Sequence, residues 1–241
     1  MILVNPHSPT IAYGLMSSRL ASSVCVVIAK QNAGARAVRC HYYCWIEPCP
    51  DSLVVRSAVP SDITQITPLF GQLTPCQSSS DVEALIAPSS KRCLVASSAS
   101  GHLVGAALFS VLKTRALQSF LPLGQAELLA HELNFLSNYP ALGLLEKLAV
   151  LRDDYESYAA ERLVEAGVSW LVHETPISTM LCFARSDGHL CPLASCLERA
   201  SFTSTVEIEQ FWHKASCAGD YLCPACEAPC YCSAVVFIYD K

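Results

Sequence analysis

The chain has 241 residues, 52% of them apolar, and a formal net charge of −5. This length favours one folded domain, alone or with appendages, and the apolar content is sufficient for a substantial core. The acidic balance gives no sign of a nucleic-acid partner. The apolar run at 20–29 is shorter than the roughly 18 residues that a membrane-spanning helix needs, so no membrane segment is predicted.

The first 50 residues differ in composition from the rest of the chain. Residues 1–46 contain no Asp or Glu, but they contain several serines and the basic residues Arg19, Lys30, Arg36 and Arg39. An acid-free segment with Arg and Ser is typical of an organelle transit peptide. A poorly ordered extension and a start codon assigned too far upstream are the alternatives. We predict an N-terminal extension, 1–50, and a folded domain, 51–241, located in the cytoplasm or, through a transit segment, in an organelle.

The first half of the predicted domain contains local strand pairs and short helices. In chain order it has a strand at 53–57, helices at 60–70 and 81–86, a hairpin of strands at 92–96 and 102–112, and a helical segment at 113–141. The first helix is indicated by Pro60 and by the acidic Asp62 in the first turn. The segment 113–141 is long for a connection, and it is either a lid or an additional packed helix.

The second half alternates strands with helices. It has a strand at 144–150, a helix at 155–173, a strand at 178–184, a helix at 188–199, and strands at 202–208 and 234–239. Apolar residues recur on one face of the segment 155–173, as expected for an amphipathic helix. Strands that pair locally and then alternate with helices indicate a single α/β (α+β) domain.

Three segments, in this order and at these spacings, resemble the GCN5-related N-acetyltransferase (GNAT) superfamily. VVRSAVPSDI at 54–63 is similar to the opening strand and first helix, LEKLAV at 145–150 to the central strand, and LERASF at 197–202 to a late helix that enters a strand. The likeness covers about residues 53–210. It implies a mixed, mostly antiparallel sheet flanked by helices, and an enzyme that moves an acetyl group from acetyl-CoA to an amine of a small molecule or protein.

The resemblance also implies where acetyl-CoA binds. Leu148, Ala149 and Val150 on the central strand would contact the pantetheine arm, because a strand edge that leaves its neighbour can bond amide groups. The phosphate loop, at the start of the next helix, would bind the pyrophosphate through free N–H groups. Its residues are Tyr155, Glu156, Ser157, Tyr158, Ala159 and Ala160.

The phosphate loop departs from the family pattern, Arg/Gln-x-x-Gly-x-Gly/Ala, at every defining position except Ala160. Tyr155 replaces the basic residue, and Tyr158 replaces a glycine that would permit close approach of the backbone. Acidic side chains, at Asp153, Asp154 and Glu156, are balanced only by Arg152 and Arg162. The alternative is therefore an ordinary helix start in a catalytically degenerate GNAT-fold module used for binding or structure.

Glu146, on the central strand, is the candidate general base for deprotonating the amine. The alternative is a surface carboxylate that pairs with Lys147 or with a neighbouring strand. The resemblance places a tyrosine general acid at the position where this chain has Leu197, so that acid is missing. The adjacent Cys196 points about 100° away around the helix and is interpreted as a buried cysteine.

Five of the 14 cysteines crowd into the C-terminal loop 213–233, between the last two predicted strands: Cys217, Cys223, Cys226, Cys230 and Cys232. CPAC at 223–226 resembles one knuckle of a zinc ribbon, and four thiolates suit one tetrahedral ion. Five candidates compete for four places, and we favour Cys223, Cys226 and Cys230 with either Cys217 or Cys232.

The chemistry of this cluster has several possible forms. Disulfides, free thiols and an iron–sulfur cluster are alternatives to zinc, although the length of the chain and the uneven cysteine distribution favour a reducing compartment. A four-cysteine metal site has no open position, so its role would be structural. A redox or metal sensor is a third functional hypothesis.

Overall fold

In the computed structural model, the chain divides into two compact units, Met1–Pro50 and Asp51–Lys241. The structure describes residues 11–13, 25–28, 41–44, 53–71, 79–117, 121, 131, 133–151, 156–188, 190–219, 221, 223, 226 and 229–241. In the first unit, strands β1 (Ile11–Tyr13), β2 (Cys25–Ile28) and β3 (His41–Cys44) form an antiparallel sheet in that order. The sequence had not predicted these strands, and the role of the extension stays a prediction.

The second unit is built on a seven-stranded sheet. Its strands are β4 (Val54–Ser57), β5 (Lys91–Ser97), β6 (Leu103–Lys113), β7 (Ala141–Val150), β8 (Thr179–Ser186), β9 (Thr203–Ile208) and β10 (Ser233–Asp240). Their order is β4-β5-β6-β7-β8-β10-β9, in which β7 and β8 are parallel and the other neighbours are antiparallel. The predicted mixed, mostly antiparallel sheet and its C-terminal hairpin are confirmed.

Helices cover both faces of this sheet. They are α1 (Ile63–Gly71), α2 (Ser79–Ile86), α3 (Glu156–Glu174), α4 (Ala194–Arg199) and α5 (His213–Ala218). Successive residues of a strand point to opposite faces. On β5, Leu94 accordingly packs in the core beneath α3 and α4, whereas Val95 packs in the core beneath α1 and α2.

The helix α3 lies unusually close to β6 because a glycine faces an aromatic ring there. A Cβ atom built on Gly167 would lie 2.1 Å from Cζ of Phe109. The same helix buries Leu163, Val164 and Leu171 at helical spacing, which is the amphipathic pattern that predicted it. This packing fixes the position of α3 on the sheet, and its N-terminus follows the end of β7.

The predicted helical segment 113–141 falls partly outside the described residues. Its described parts include two 3-10 turns, Thr114–Ala116 and Asn134–Asn138, and its two ends belong to β6 and β7, so a helix over the whole segment is wrong. Nearby leucines are buried on the sheet face opposite α3, beside Phe211: Leu117, Leu121, Leu133 and Leu136. These parts of the segment therefore pack against the sheet.

Two helix boundaries differ from the predicted ones for local reasons. The helix predicted at 188–199 begins only at Ala194. Pro192 disfavours the helical conformation for the residue before it, and Asp187 instead closes a turn by accepting a hydrogen bond of 2.8 Å from the N–H of Leu190. The short α5 was not predicted, and it ends at Gly219, whose φ of 81° is a left-handed helix cap.

Within the described parts of the chain, no helix is both long enough and apolar enough to cross a membrane.

Candidate active site and cysteine cluster

The strands β7 and β8 separate after a short contact. They are in register at three pairs, Gly143–Met180, Leu144–Leu181 and Leu145–Cys182. Beyond this point β7 stays paired with β6 as far as Val150, and β8 stays paired with β10 as far as Ser186. A cleft thus opens in the described sheet between 146–150 of β7 and 183–186 of β8, and we call it the splay cleft.

A β-bulge at Glu146 accounts for the separation. Leu108 of β6 is opposite Lys147, and the next residue, Phe109, is opposite Leu145, so Glu146 is the extra residue. A bulge bends its strand and increases the local twist. The bend begins where the pairing with β8 ends, so the inserted residue and the opening of the cleft coincide.

The Glu146 carboxylate is held by an ion pair across the sheet. Its Oε2 lies 2.9 Å from Nζ of Lys91 on β5, and the two side chains are 9% and 20% exposed. Its Oε1 is buried and has no hydrogen-bond partner among the described residues. The candidate base is therefore oriented by a cation, with one oxygen left to accept a proton or a hydrogen bond.

The next residue, Lys147, lies on the same face of the sheet. Its Nζ is 5.8 Å from the centroid of the Phe70 ring on α1. Burial lowers the pKa of Lys147, while the nearby Glu146 opposes that effect. The bulge thus places an acidic and a basic group side by side at the base of the splay cleft.

The predicted pantetheine residues all lie on the stretch of β7 that lines the cleft. Leu148 and Val150 are half-buried on the α3 side, and Ala149 is buried on the opposite side. A β-strand edge presents its N–H and C=O groups in the plane of the sheet, so this stretch can bond an extended amide chain laid in the cleft.

Most of the predicted phosphate loop forms the first turn of α3. Tyr155 lies outside the described residues, together with Arg152, Asp153 and Asp154, and the helix begins at Glu156 and Ser157. Ala159 and Ala160 are buried, and Tyr158 is half-buried against the core beneath α3. The first N–H groups of the helix have no carbonyl partner within it.

Two side chains considered for chemistry or charge balance have other roles in the structure. Arg162 is exposed and pairs with Glu165 at 3.0 Å. Leu197, at the position of the family's tyrosine, is fully buried, and Cys196 is buried beside it. Burial raises the pKa of Cys196 to about 11, with a smaller contribution from Glu161, so it is a neutral thiol at physiological pH.

Four of the five clustered cysteines converge on one point: Cys223, Cys226, Cys230 and Cys232. Their Sγ atoms all lie within 4.8 Å of one another. Cys232 Sγ is 3.8 Å from the sulfurs of Cys223 and Cys226. We call this set the cysteine quartet; Cys230 and Cys232 are buried in it, and Cys226 is exposed.

The fifth cysteine, Cys217, lies on α5 outside the quartet. Its Sγ is 3.7 Å from Nε2 of His213, one helical turn earlier. The other ring nitrogen of His213 is 3.2 Å from the Cys230 carbonyl oxygen. Ser216 Oγ accepts a hydrogen bond of 2.8 Å from the Cys230 N–H. Of the two candidates for the fourth place, Cys232 therefore lies in the quartet and Cys217 does not. The helix α5 instead contacts the backbone of Cys230 through His213 and Ser216.

Two residues at these sites were missed in the sequence. Lys91 is 55 positions from its partner Glu146, and nothing local signals the contact. Arg185 of β8 donates a hydrogen bond to Cys232 Sγ at 3.8 Å. Here a signal existed, because a lone cation at the end of an apolar strand requires an acceptor.

Comparisons with known proteins place the fold. No protein-family model matches the chain, and no curated protein sequence matches it. Solved structures do match, among them Arabidopsis thaliana NAA60 in complex with acetyl-CoA, with a TM-score of 0.55 at 12% identity over 78% of this chain and 98% of that one. A GCN5-related N-acetyltransferase from Kribbella flavida gives 0.53 at 16% identity, over 80% and 99%.

An agmatine N-acetyltransferase gives a TM-score of 0.53 at 15% identity, over 79% of this chain and 100% of that one. Two of these three structures are described as N-acetyltransferases, and at such sequence identities the likeness concerns the fold alone. The strand order, the separation of β7 from β8 and the superpositions on these solved structures all indicate the same fold. The chain has the fold of the GCN5-related N-acetyltransferases.

Proposed function

We propose that this chain is an N-acetyltransferase that moves an acetyl group from acetyl-CoA to an amine of a small molecule or protein. The observation that carries the proposal is the splay cleft, where β7 leaves β8 at the Glu146 bulge. The cleft exposes a strand edge to an amide-bearing arm and is followed by the N-terminus of a long helix. In support, the NAA60 structure of the same fold contains acetyl-CoA.

In this proposal 148–150 bind the pantetheine arm and the first turn of α3 binds the pyrophosphate. The amine nitrogen attacks the thioester carbonyl, the C–N bond forms and the C–S bond breaks. Glu146 takes the proton of the amine, directly or through one water molecule. The leaving thiolate takes a proton from solvent, because Leu197 has none to give.

A second candidate is a non-catalytic GNAT-fold module, and two observations favour it. Glu146 is already engaged by Lys91 at 2.9 Å, and Tyr158 places a ring in the first turn of α3 where the family has glycine. In that case the splay cleft would bind no coenzyme, and the fold would serve binding or structure.

Calorimetric titration of the full chain with acetyl-CoA separates the two candidates. Micromolar binding supports the enzyme, and release of CoA with a panel of amines then identifies the acceptor. No binding by a folded sample overturns the enzyme proposal. Tyr158→Gly, which removes the ring, should tighten binding about tenfold if the ring obstructs the backbone, whereas Ser169→Gly, an exposed site on the same helix, controls for helix destabilisation.

We further propose that the cysteine quartet holds one structural zinc ion. With Zn–S bonds of about 2.3 Å, the edge of a ZnS4 tetrahedron is about 3.8 Å, which is the spacing of Cys232 from Cys223 and Cys226. A disulfide would need sulfurs about 2 Å apart, and an iron–sulfur cluster needs a wider cage than a single ion.

Metal analysis of the full chain, purified under reducing conditions, tests the zinc site. We expect one equivalent of zinc in the wild type and in Cys217→Ser, and much less in Cys226→Ser, in which the substituted side chain is exposed and its own packing contribution is small. Iron with visible absorption, or zinc retained by Cys226→Ser and lost from Cys217→Ser, would contradict the assignment.

A further inference from the structure

The cysteine quartet lies beside the C-terminal end of β8, where this strand pairs with β10 but no longer with β7. Cys232 directly precedes β10, whose first residues, Ser233 and Ala234, pair with Ser186 and Arg185 of β8. On its other side, this end of β8 faces the splay cleft, because the pairing with β7 ends at Cys182. The position of this cleft wall therefore depends on how firmly the start of β10 is held.

Arg185 connects the quartet to this wall. Its guanidinium donates to Cys232 Sγ at 3.8 Å, and the side chain is half-buried on the sheet face that also carries Phe183. A cation held on a rigid strand and directed at a sulfur is the arrangement by which outer groups orient and stabilise thiolate ligands.

The charge of a loaded site explains why a cation is needed. Four thiolates around one Zn²⁺ carry a net charge of about −2, and a buried charge of that size requires a partner. Two of the four sulfurs belong to buried residues, Cys230 and Cys232. Arg185 offsets part of this charge at Cys232, the ligand that leads directly into β10.

We propose that Arg185 is the outer-sphere partner of the quartet, and that through it the bound metal fixes the 183–186 wall of the splay cleft. This inference rests on the proposed zinc site and is independent of whether the cleft binds acetyl-CoA. Arg185 is a positioning residue: it stabilises the thiolate of Cys232 and transmits the order of the metal site to β8.

The test compares variants of the full, reduced, zinc-loaded chain. Arg185→Met removes the charge and keeps the length of the side chain, Arg185→Lys keeps the charge, and Arg92→Met is a control on another strand, where the arginine pairs with Glu174. In competition with a chromophoric chelator, we expect zinc affinity to fall at least about tenfold in Arg185→Met, to recover partly in Arg185→Lys, and to be unchanged in Arg92→Met.

Hydrogen exchange supplies a readout that does not depend on activity. Chelation should speed the exchange of the 183–186 amides in the wild type, and zinc-loaded Arg185→Met should exchange there about as fast as the chelated wild type. Wild-type zinc affinity and wild-type protection in Arg185→Met would overturn the inference. A wild type that binds no zinc would overturn the metal site and this inference together, whereas failure to bind acetyl-CoA would affect only the enzyme proposal.

Discussion

At the scale of single residues, Asp62 is the most tightly held carboxylate that the structure describes at the start of the domain. It accepts hydrogen bonds from both terminal nitrogens of Arg56, at 2.6 and 2.8 Å, and from the Val59 N–H at 2.8 Å. The hydrogen bonds from Arg56 hold the pKa of Asp62 below its usual range, although burial opposes the shift. The residue thus joins the end of β4 to the start of α1.

Asp62→Asn should lower the free energy of unfolding by about 2 kcal/mol at pH 7, because it removes charge-assisted hydrogen bonds to a buried group. A carboxylate with a depressed folded pKa stabilises the fold above its unfolded pKa of about 3.9, and the benefit is lost as pH falls through the folded pKa. Urea unfolding should therefore show that the difference in free energy of unfolding between wild type and variant becomes smaller at acidic pH. Glu165→Gln, in an exposed ion pair, should change little at any pH.

Glu146→Gln tests the proposed base. We expect kcat to fall by about 100-fold while the affinity for acetyl-CoA, measured by calorimetry, stays the same, since the carboxylate acts on the acceptor amine. Glu174→Gln, at a carboxylate that pairs with Arg92 of the same strand β5, is the control and should keep its activity. Full activity in Glu146→Gln would assign Glu146 to structure alone.

Glu146 was identified in the sequence only because LEKLAV resembles a known central strand. Its partner was not identifiable, because Lys91 is 55 positions away and meets it only when β5, β6 and β7 are side by side. For Arg185 the apolar strand signalled the need for an acceptor, but not that the acceptor would be Cys232, 47 positions further along the chain. Contacts between distant strands are set by the register of the sheet, and a single sequence contains little information about register.

At the scale of elements, the tight contact between α3 and β6 gives a sharp test of packing. Gly167→Ala would normally favour a helix by up to about 1 kcal/mol. Here the new Cβ would lie 2.1 Å from the Phe109 ring, so we expect a loss of about 1–3 kcal/mol from overpacking. Urea unfolding measures it, and Gly71→Ala at the end of α1, with nothing within 4 Å, is the matched control. A stabilised Gly167→Ala would show that α3 can move away from the sheet freely.

The elements were predicted best where the sequence pattern is long. The helix α3 and the strands β5 and β6 match the predicted positions within a residue or two, because 19, 7 and 11 residues carry the apolar pattern. The two six-residue helices were predicted less well. The helix α4 begins later than predicted, after Pro192, and α5 was absent from the prediction. Short helices depend on tertiary packing more than on their own sequence.

At the scale of the whole molecule, the resemblance predicted a mixed, mostly antiparallel sheet but not the order of its strands. Strand order β8-β10-β9 places the last strand between two earlier ones, and neither spacing nor hydropathy indicates that insertion. The quartet directly precedes β10, the last strand of the chain. The sequence predicted Cys223, Cys226 and Cys230 together with one of two further cysteines. Only the three-dimensional arrangement distinguishes Cys232 from Cys217 as the fourth member.

Removal of zinc should therefore destabilise the entire second unit. A ligand that binds only the folded state at about 1,000 times its Kd adds about 4 kcal/mol to the free energy of unfolding. Chemical unfolding of the full chain, with zinc and with a chelator, should differ by up to that amount, while Cys226→Ser should be insensitive to the chelator. Equal stability of the wild type in both conditions would contradict a structural metal.

The bulge at Glu146 also reverses the parity of its strand. Before it, odd-numbered residues such as Leu145 face α3; after it, even-numbered residues such as Leu148 and Val150 do so. Deletion of this one residue would restore a regular alternation and would leave every following residue of β7 on its present face. The opening in the sheet therefore depends on the residue count of β7 rather than on any single side chain.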